Sequence, residues 1–241
     1  MLECLASARP PALRSTRDIS VIIPALDEAA ALPATLGRLA GIAELGEVIV
    51  VDGGSRDDTI EIARSHGAAV LRSQPGRGQQ FQTGVSAARG DVLLLLHADT
   101  WLPQSAGRAI LRALSKPSVV GGGFWKEFRD PPWLLRGAKW KCALRLWLHR
   151  RVSGDQGLFV TRSALAAIGG VPQMPLMEEF ELCRRLRGVG RLVLADATVT
   201  TSARRFARHG VLRTYARMLR VTALYYAGVP PARLREIYEQ A

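Results

Sequence analysis

The sequence predicts a single α/β domain, with a mostly parallel central sheet flanked by helices and further helices at its C-terminal end. Short apolar runs alternate with helical patterns through the first half of the chain, as parallel strands joined by helical crossovers require. One of those runs, Leu93-Leu94-Leu95-Leu96, is apolar at every position, as a strand covered on both faces must be. With 241 residues, 48% hydrophobic and 22% charged, the chain has the composition and length to bury a sizeable core. No internal repeat or linker divides it.

The elements follow in order. Residues 19–23 are the first strand, stopped at Pro24. Residues 27–40 read as a helix capped by Asp27, with Leu32, Leu36 and Leu39 on one face. Residues 48–51 form the next strand and 57–66 the next helix, capped by Asp57 or Ser55. A short strand at 69–71 precedes a helix at 78–88, and then comes the strand that ends at His97. Residues 105–114 are helical, and 119–128 a strand interrupted by Gly121, Gly122 and Gly123. Residues 133–151 form a basic, aromatic helix, 154–161 are extended, and 163–168 and 177–186 are helices. Strands at 192–194 and 197–201 and helices at 211–227 and 231–238 close the chain.

Residues 1–17 hold Arg9, Pro10, Pro11, Arg14 and Arg17 without a long apolar stretch, and read as a disordered tail rather than a signal peptide. The domain is then expected over 18–205, with a helical extension at 206–241 packed on it. No run of eighteen apolar residues exists, so no membrane span is expected. Cys4, Cys142 and Cys183 are scattered, with no metal-binding or disulfide spacing, which suits a reducing, cytoplasmic setting.

The net charge of +12 is carried mostly by arginine. It implies an anionic partner or reflects genomic base composition alone. Nucleic acid is not expected, because no reader motif accompanies the charge. Trp133, Trp140 and Trp147 recur every seven residues among lysines and arginines. That stripe is either core packing or a face for an anionic membrane surface.

Polar groups gather where strands end. Pro24-Ala25-Leu26-Asp27-Glu28 follows the first strand, where a dinucleotide-binding fold would place a Gly-x-Gly-x-x-Gly turn. Its absence argues against an oxidoreductase. Asp52 closes the second strand ahead of Gly53 and Gly54, which would let backbone approach a ligand. Gly76-Arg77-Gly78 opens a helix as an anion site would. His97 and Asp99, two apart beyond the leucines, would leave the core on one face if the chain stays extended. A carboxylate there suits Mg²⁺ or Mn²⁺ against a diphosphate.

Together these pieces resemble family 2 glycosyltransferases, enzymes of the GT-A fold that use nucleotide-diphosphate sugars. The matching residues run from Ser20 to Glu28, then Val50-Val51-Asp52-Gly53-Gly54-Ser55 with Asp57-Asp58-Thr59, Arg77, and His97-Ala98-Asp99. Gly154-Asp155-Gln156-Gly157 and Glu178-Glu179-Phe180-Glu181-Leu182 extend the resemblance over most of the chain. It implies a donor site made of Pro24, Asp27, Glu28, Asp52, Gly53, Arg77 and His97. Asp99 would be the ligand of Mg²⁺ or Mn²⁺. Arg205, with Arg204, would close over the donor diphosphate, and Asp155 and Gln156 would face the acceptor. Glu179 would be the catalytic base with Glu178 its neighbour, in an inverting transfer to a hydroxyl or lipid-linked acceptor.

Three positions depart from the family pattern. Asp27 stands for the usual asparagine, His97 for an aspartate that opens the metal motif, and Glu179 for the aspartate of the base pair. They keep open a catalytically altered protein that retains sugar-nucleotide affinity. A nucleotidyltransferase would need a glycine-rich loop after the first strand, which is absent. The expected location is the cytoplasm, or peripherally the inner face of the membrane.

Overall fold

The structure is a computed structural model that describes residues 19–131 and 133–240. The tail expected at 1–17 lies outside the described residues.

Four parallel strands build the first half: β1 (Ile19–Ala25), β2 (Leu45–Asp52), β3 (Ala69–Arg72) and β4 (Val92–Leu95). Helices α1 (Leu32–Leu39), α2 (Thr59–Ser65) and α3 (Arg77–Ala87) connect them. The second half adds β5 (Thr100–Trp101), β6 (Val119–Phe128), β7 (Leu158–Thr161) and β8 (Arg191–Thr201). All join one sheet in the order β3-β2-β1-β4-β7-β6-β8-β5. β7 runs antiparallel to both β4 and β6, and β5 antiparallel to β8. The sheet is therefore parallel on one side and mixed on the other. The remaining helices are α4 (Ala106–Leu114), α5 (Ala138–His149), α6 (Arg162–Ala167), α7 (Glu178–Leu186), α8 (Arg204–His209), α9 (Val211–Tyr226) and α10 (Pro231–Gln240).

The leucine run does what its composition demands. Leu94 and Leu96 pack on one face with Leu32 and Leu36 of α1 and Ile110 of α4. Leu93 and Leu95 pack on the other with Phe81 of α3, Leu165 of α6 and Leu182 of α7. Alternation along an extended strand sends successive side chains to opposite layers, so β4 joins two cores. Small satellite clusters hold the C-terminal helices: Phe206 and Tyr215 against Phe128 and Leu135, and Val221 and Leu234 against Met177.

Several elements differ from the reading of the sequence. Asp27 does not cap α1, which starts five residues later behind Ala31. Its backbone is left-handed, at φ 53°, and its carboxylate accepts the Arg56 N–H instead. The glycines at 121–123 do not interrupt β6. A Cβ on Gly121 would come within 2.5 Å of the Phe159 carbonyl, and one on Gly122 would strike the Val193 carbonyl. These two are glycine because neighbouring strands close in on them, and Gly123 because Val152 of the loop before β7 does. Residues 191–201 are one strand, with a register irregularity where two strands were expected. Residues 154–156 form a 3-10 turn ahead of β7.

The tryptophan stripe also corrects the core-packing expectation. Trp133, Trp140 and Trp147 are 75%, 79% and 76% exposed; Trp133 lies in a 3-10 turn (Trp133–Leu135) ahead of α5, and α5 is seated by Cys142. No described helix is long and apolar enough to cross a membrane. Cys142 and Cys183 are buried free thiols, and burial pushes the Cys183 thiol up to about 11.

Candidate active site

At the carboxyl ends of β1 and β2 the two following loops are stapled together. The Asp27 N–H donates to Ser55 Oγ at 3.0 Å, Glu28 N–H to Thr59 Oγ1 at 2.9 Å, and Ala29 N–H to Asp57 Oδ2 at 3.0 Å. Neither Asp57 nor Ser55 caps α2, whose N-cap is Asp58 without a side-chain bond; Asp57 accepts from Thr59 N–H, and Ser55 supports the other loop. Buried Asp52 accepts from the N–H groups of Gly54 and Ser55 at 3.0 and 3.1 Å. Asp52 therefore has a structural job that the sequence did not disclose, shaping the turn after β2. Gln80, buried on α3, donates to the carbonyls of Ala25 and Val51 and closes the cleft floor. A Cβ on Gly53 would press on that amide at 3.0 Å. Pro24 is buried within β1 itself.

His97 and Asp99 do not share an extended face. The Thr100 N–H bonds back to the His97 carbonyl at 3.1 Å and turns the chain. The two side chains consequently meet different partners. His97 Nε2 lies 3.1 Å from Glu179 Oε1. Asp99 Oδ2 lies 3.3 Å from Arg204 Nε, and Arg204 Nη2 donates to Glu28 Oε1 at 2.6 Å. A single guanidinium thus bridges the two acids. Glu28 Oε2 is buried with no hydrogen-bond partner among the described residues.

The Glu178–Glu179 pair opens α7. Glu178 forms an ion pair with Arg77 at 2.7 Å. Burial pushes the Glu178 carboxyl up, against the pull of Arg77. Arg77 in turn is held above its ordinary value by both carboxylates, although burial opposes this. Glu179 is mostly buried and accepts from the Gly154 N–H at 2.8 Å as well as facing His97. Burial alone would raise it, but the His97 hydrogen bond and the Arg77 charge bring it down to about 2. It is ionised at neutral pH.

The turn that supplies this N–H is itself braced. Lys126 Nζ meets Asp155 Oδ2 at 2.5 Å, and Ser153 Oγ donates to Asp155 Oδ1 at 2.6 Å. Burial opposes ionisation of Asp155, yet Lys126 and Arg145 hold its carboxyl far below the usual range. Gln156 is buried, donates to the Phe124 carbonyl at 2.8 Å, and accepts from Ser153 N–H. Gln156 spends its polar atoms on Ser153 and on Phe124 of β6, whereas Asp155, braced by Lys126 of β6, keeps about a third of its side chain exposed.

The sequence-predicted residues fall into two groups: Glu28 and Asp99, joined through Arg204, and the His97–Glu179 and Arg77–Glu178 pairs at the start of α7. Arg205 is not with them: its guanidinium donates to Tyr238 Oη at 2.6 Å. Neighbours on a helix are turned about 100° apart, so only Arg204 of the pair faces the cleft. Lys126, Gln80 and Gly154 were missed. Gly154 had a signal, since a glycine beside an acidic motif marks close approach of backbone to a group. Among the described residues no three His, Cys, Asp or Glu side chains gather as a self-sufficient metal site.

The model of the family "Glycosyl transferase family 2" matches residues 20–160. The undecaprenyl-phosphate 4-deoxy-4-formamido-L-arabinose transferase of Pseudomonas aeruginosa is 35% identical over 128 residues, 48% of this chain and 38% of that protein. The glucosyl-3-phosphoglycerate synthase of Mycolicibacterium paratuberculosis is 31% identical over 99 residues, 36% of this chain and 30% of that protein. The chain thus spans well under half the length of these curated relatives. Among solved structures, a mannosyltransferase from Pyrobaculum calidifontis in complex with GDP-Man and Mn²⁺ superposes with a TM-score of 0.61 at 21% identity. That superposition covers 92% of this chain and 68% of the other. It shares the fold: a curled, mostly parallel sheet with flanking helices.

Proposed function

The chain belongs to glycosyltransferase family 2, and from that membership we propose that it transfers a sugar from a nucleoside-diphosphate donor to an acceptor hydroxyl. Attack of the acceptor in a single displacement inverts the anomeric carbon. The observation that carries this reading is Glu179, an ionised carboxylate fixed by His97 and the Gly154 N–H beside the end of β4.

Glu179 accepts the acceptor proton as the C–O bond forms, when that hydroxyl becomes far more acidic than in the free acceptor. His97 and Gly154 hold the carboxylate in place, which matters because misplacement by an ångström costs about a hundredfold in rate. Glu178 and Arg77 form the wall beside it and stabilise the leaving diphosphate through the arginine charge. Asp27, Asp52 and Gly53 shape the loops against which the nucleoside lies.

A divalent cation fits the residues present. Asp99 and Glu28 offer hard oxygen donors, Glu28 Oε2 is buried without a partner among the described residues, and Arg204 already places positive charge between them. One or two protein carboxylates suffice when the diphosphate and water supply the other ligands. Asp99 would hold Mg²⁺ or Mn²⁺, ions that accompany UDP or GDP-Man in structures of the same fold. When bound, the ion neutralises charge developing on the departing diphosphate. The acceptor, a simple hydroxyl compound or a lipid-linked one, is set by the Glu179 side of the cleft.

The test separates binding from chemistry. Sugar nucleotides based on uridine and guanosine are offered with Mn²⁺, and nucleoside diphosphate release is measured alongside calorimetric binding. Glu179→Gln is expected to bind the preferred donor as wild type does and to lose at least about a hundredfold in release. Equal release by wild type and variant contradicts the role given to Glu179.

A further inference from the structure

Beyond the transferase site, the face shared by α5, the 3-10 turn before it (Trp133–Leu135) and α9 is left uncovered by the described residues. Trp133, Trp140 and Trp147 stand out from it, each about three-quarters exposed, with Leu144 and Leu148 more than half exposed between them. The three indoles alone present on the order of 500 Å² of largely apolar surface, as much as the largest patch on an ordinary monomer. α9 lies alongside, joined by Lys141 Nζ donating to Tyr215 Oη at 3.2 Å and by Arg151 donating to Tyr226 Oη at 3.2 Å. It adds Leu212 and Leu219, 73% and 69% exposed.

The charge carried by the two helices has one sign, and Glu127 at the edge of α5 is already paired with Lys139 at 2.6 Å. Neither α5 nor α9 contains an aspartate or glutamate. Arg136, Lys141 and Arg150, all exposed, are interspersed with the tryptophans along the chain. Between α9 and α10, Arg213, Arg217 and Arg220 line a surface cavity of about 300 Å³. We propose that this face docks on an anionic lipid bilayer, with the indoles at headgroup depth and the arginines on lipid phosphates.

Charge decides between occupants. A second copy of the chain would bring the same basic side chains against themselves, with no acid on either helix to answer them. An anionic bilayer answers both features: indole rings are favoured at the interface, and each lysine or arginine near such a surface adds attraction. The long basic side chains reach past the apolar stripe to the phosphates. The chain leaves α5 almost directly into the turn whose Gly154 N–H holds Glu179. On the proposed function, docking therefore brings the acceptor end of the site to a membrane-borne acceptor.

Flotation of the full chain on vesicles tests this. At low salt the protein is expected to float with vesicles containing phosphatidylglycerol and to stay behind with pure phosphatidylcholine, its tryptophan emission shifting to the blue only in the first case. Trp140→Ala with Trp147→Ala is expected to lower partitioning roughly tenfold or more for each indole removed. The same variant should keep wild-type thermal melting and wild-type nucleotide-sugar hydrolysis. Absence of flotation on the anionic vesicles overturns the proposal. So does flotation unaffected by the tryptophan changes, or a dimer in sedimentation velocity that this variant dissolves. If wild type floats but hydrolyses no sugar nucleotide, the docking stands and the transferase reading falls.

Discussion

Replacing Gly154 by alanine is expected to disable the site while leaving every charged group in it intact. Gly154 does not occupy the left-handed region, so alanine costs nothing in backbone conformation. The effect is steric. A Cβ there would fall on the Glu179 carboxylate, with even the farther oxygen only 2.6 Å away. Carbon and oxygen without a bond between them settle at about 3.3–3.6 Å, so the carboxylate must retreat by more than about 1 Å. In doing so it gives up the Gly154 N–H at 2.8 Å and the His97 contact at 3.1 Å. Each hydrogen bond to a charged group is worth about 1.5–3 kcal/mol, and displacement on this scale costs about a hundredfold in turnover. The expected loss in nucleoside diphosphate release is therefore on the order of 10²–10³-fold. Donor affinity by calorimetry should hold, since Asp52, Arg77 and Asp99 are untouched. Wild-type turnover in Gly154→Ala, or a loss of donor affinity matching the loss of rate, refutes the reasoning.

Two glycines should respond in opposite directions. Gly37 lies within α1 with open space around it, so Gly37→Ala should raise the unfolding free energy by about 0.5–1 kcal/mol in urea titration. Gly84 sits against Ile22 and Val51, and a Cβ there would strike the Ile22 methyl; Gly84→Ala should lower stability by about 1–3 kcal/mol. Acid should weaken the fold through Glu179 and Asp155. Their folded-state carboxyls lie below ordinary values, Glu179 at about 2 against 4.5. The stabilisation is present above about pH 4.5 and is lost as pH falls toward 2. Glu178, pushed up by burial, works the other way at the upper end of that window. Chemical denaturation across this range should show a shallower acid limb in Glu179→Gln than in wild type.

The first half of the fold was legible because its signals are local. Strands β1, β2 and β4 are runs with no polar face, and α1 buries the leucines its spacing marked. Where long-range contacts decide, the sequence was silent. β5 is two residues long and exists only because Thr100 and Trp101 pair with β8. The glycines of β6 look like breakers until the carbonyls of Phe159 and Val193 are seen against them. A heptad of tryptophans fits a buried or an exposed stripe equally well, since periodicity does not say on which side of a helix the sheet lies. In the site, residue types were legible and pairings were not. His97 and Glu179 both depart from the family pattern, and only the fold brings them within 3.1 Å of each other. Asp27 and Asp52 read as ligand groups, yet their oxygens accept backbone N–H groups that shape the loops.

The central claim, a cation-assisted sugar-nucleotide site at the end of β4, is tested most directly by calorimetric titration of uridine and guanosine diphosphates into wild type and Asp99→Ala, each with and without Mn²⁺. In wild type, Mn²⁺ is expected to strengthen binding of one of the two by about tenfold or more, a coupling of roughly 1.4 kcal/mol. In Asp99→Ala that strengthening is expected to vanish. Equal strengthening in both proteins, or none in wild type, contradicts the account.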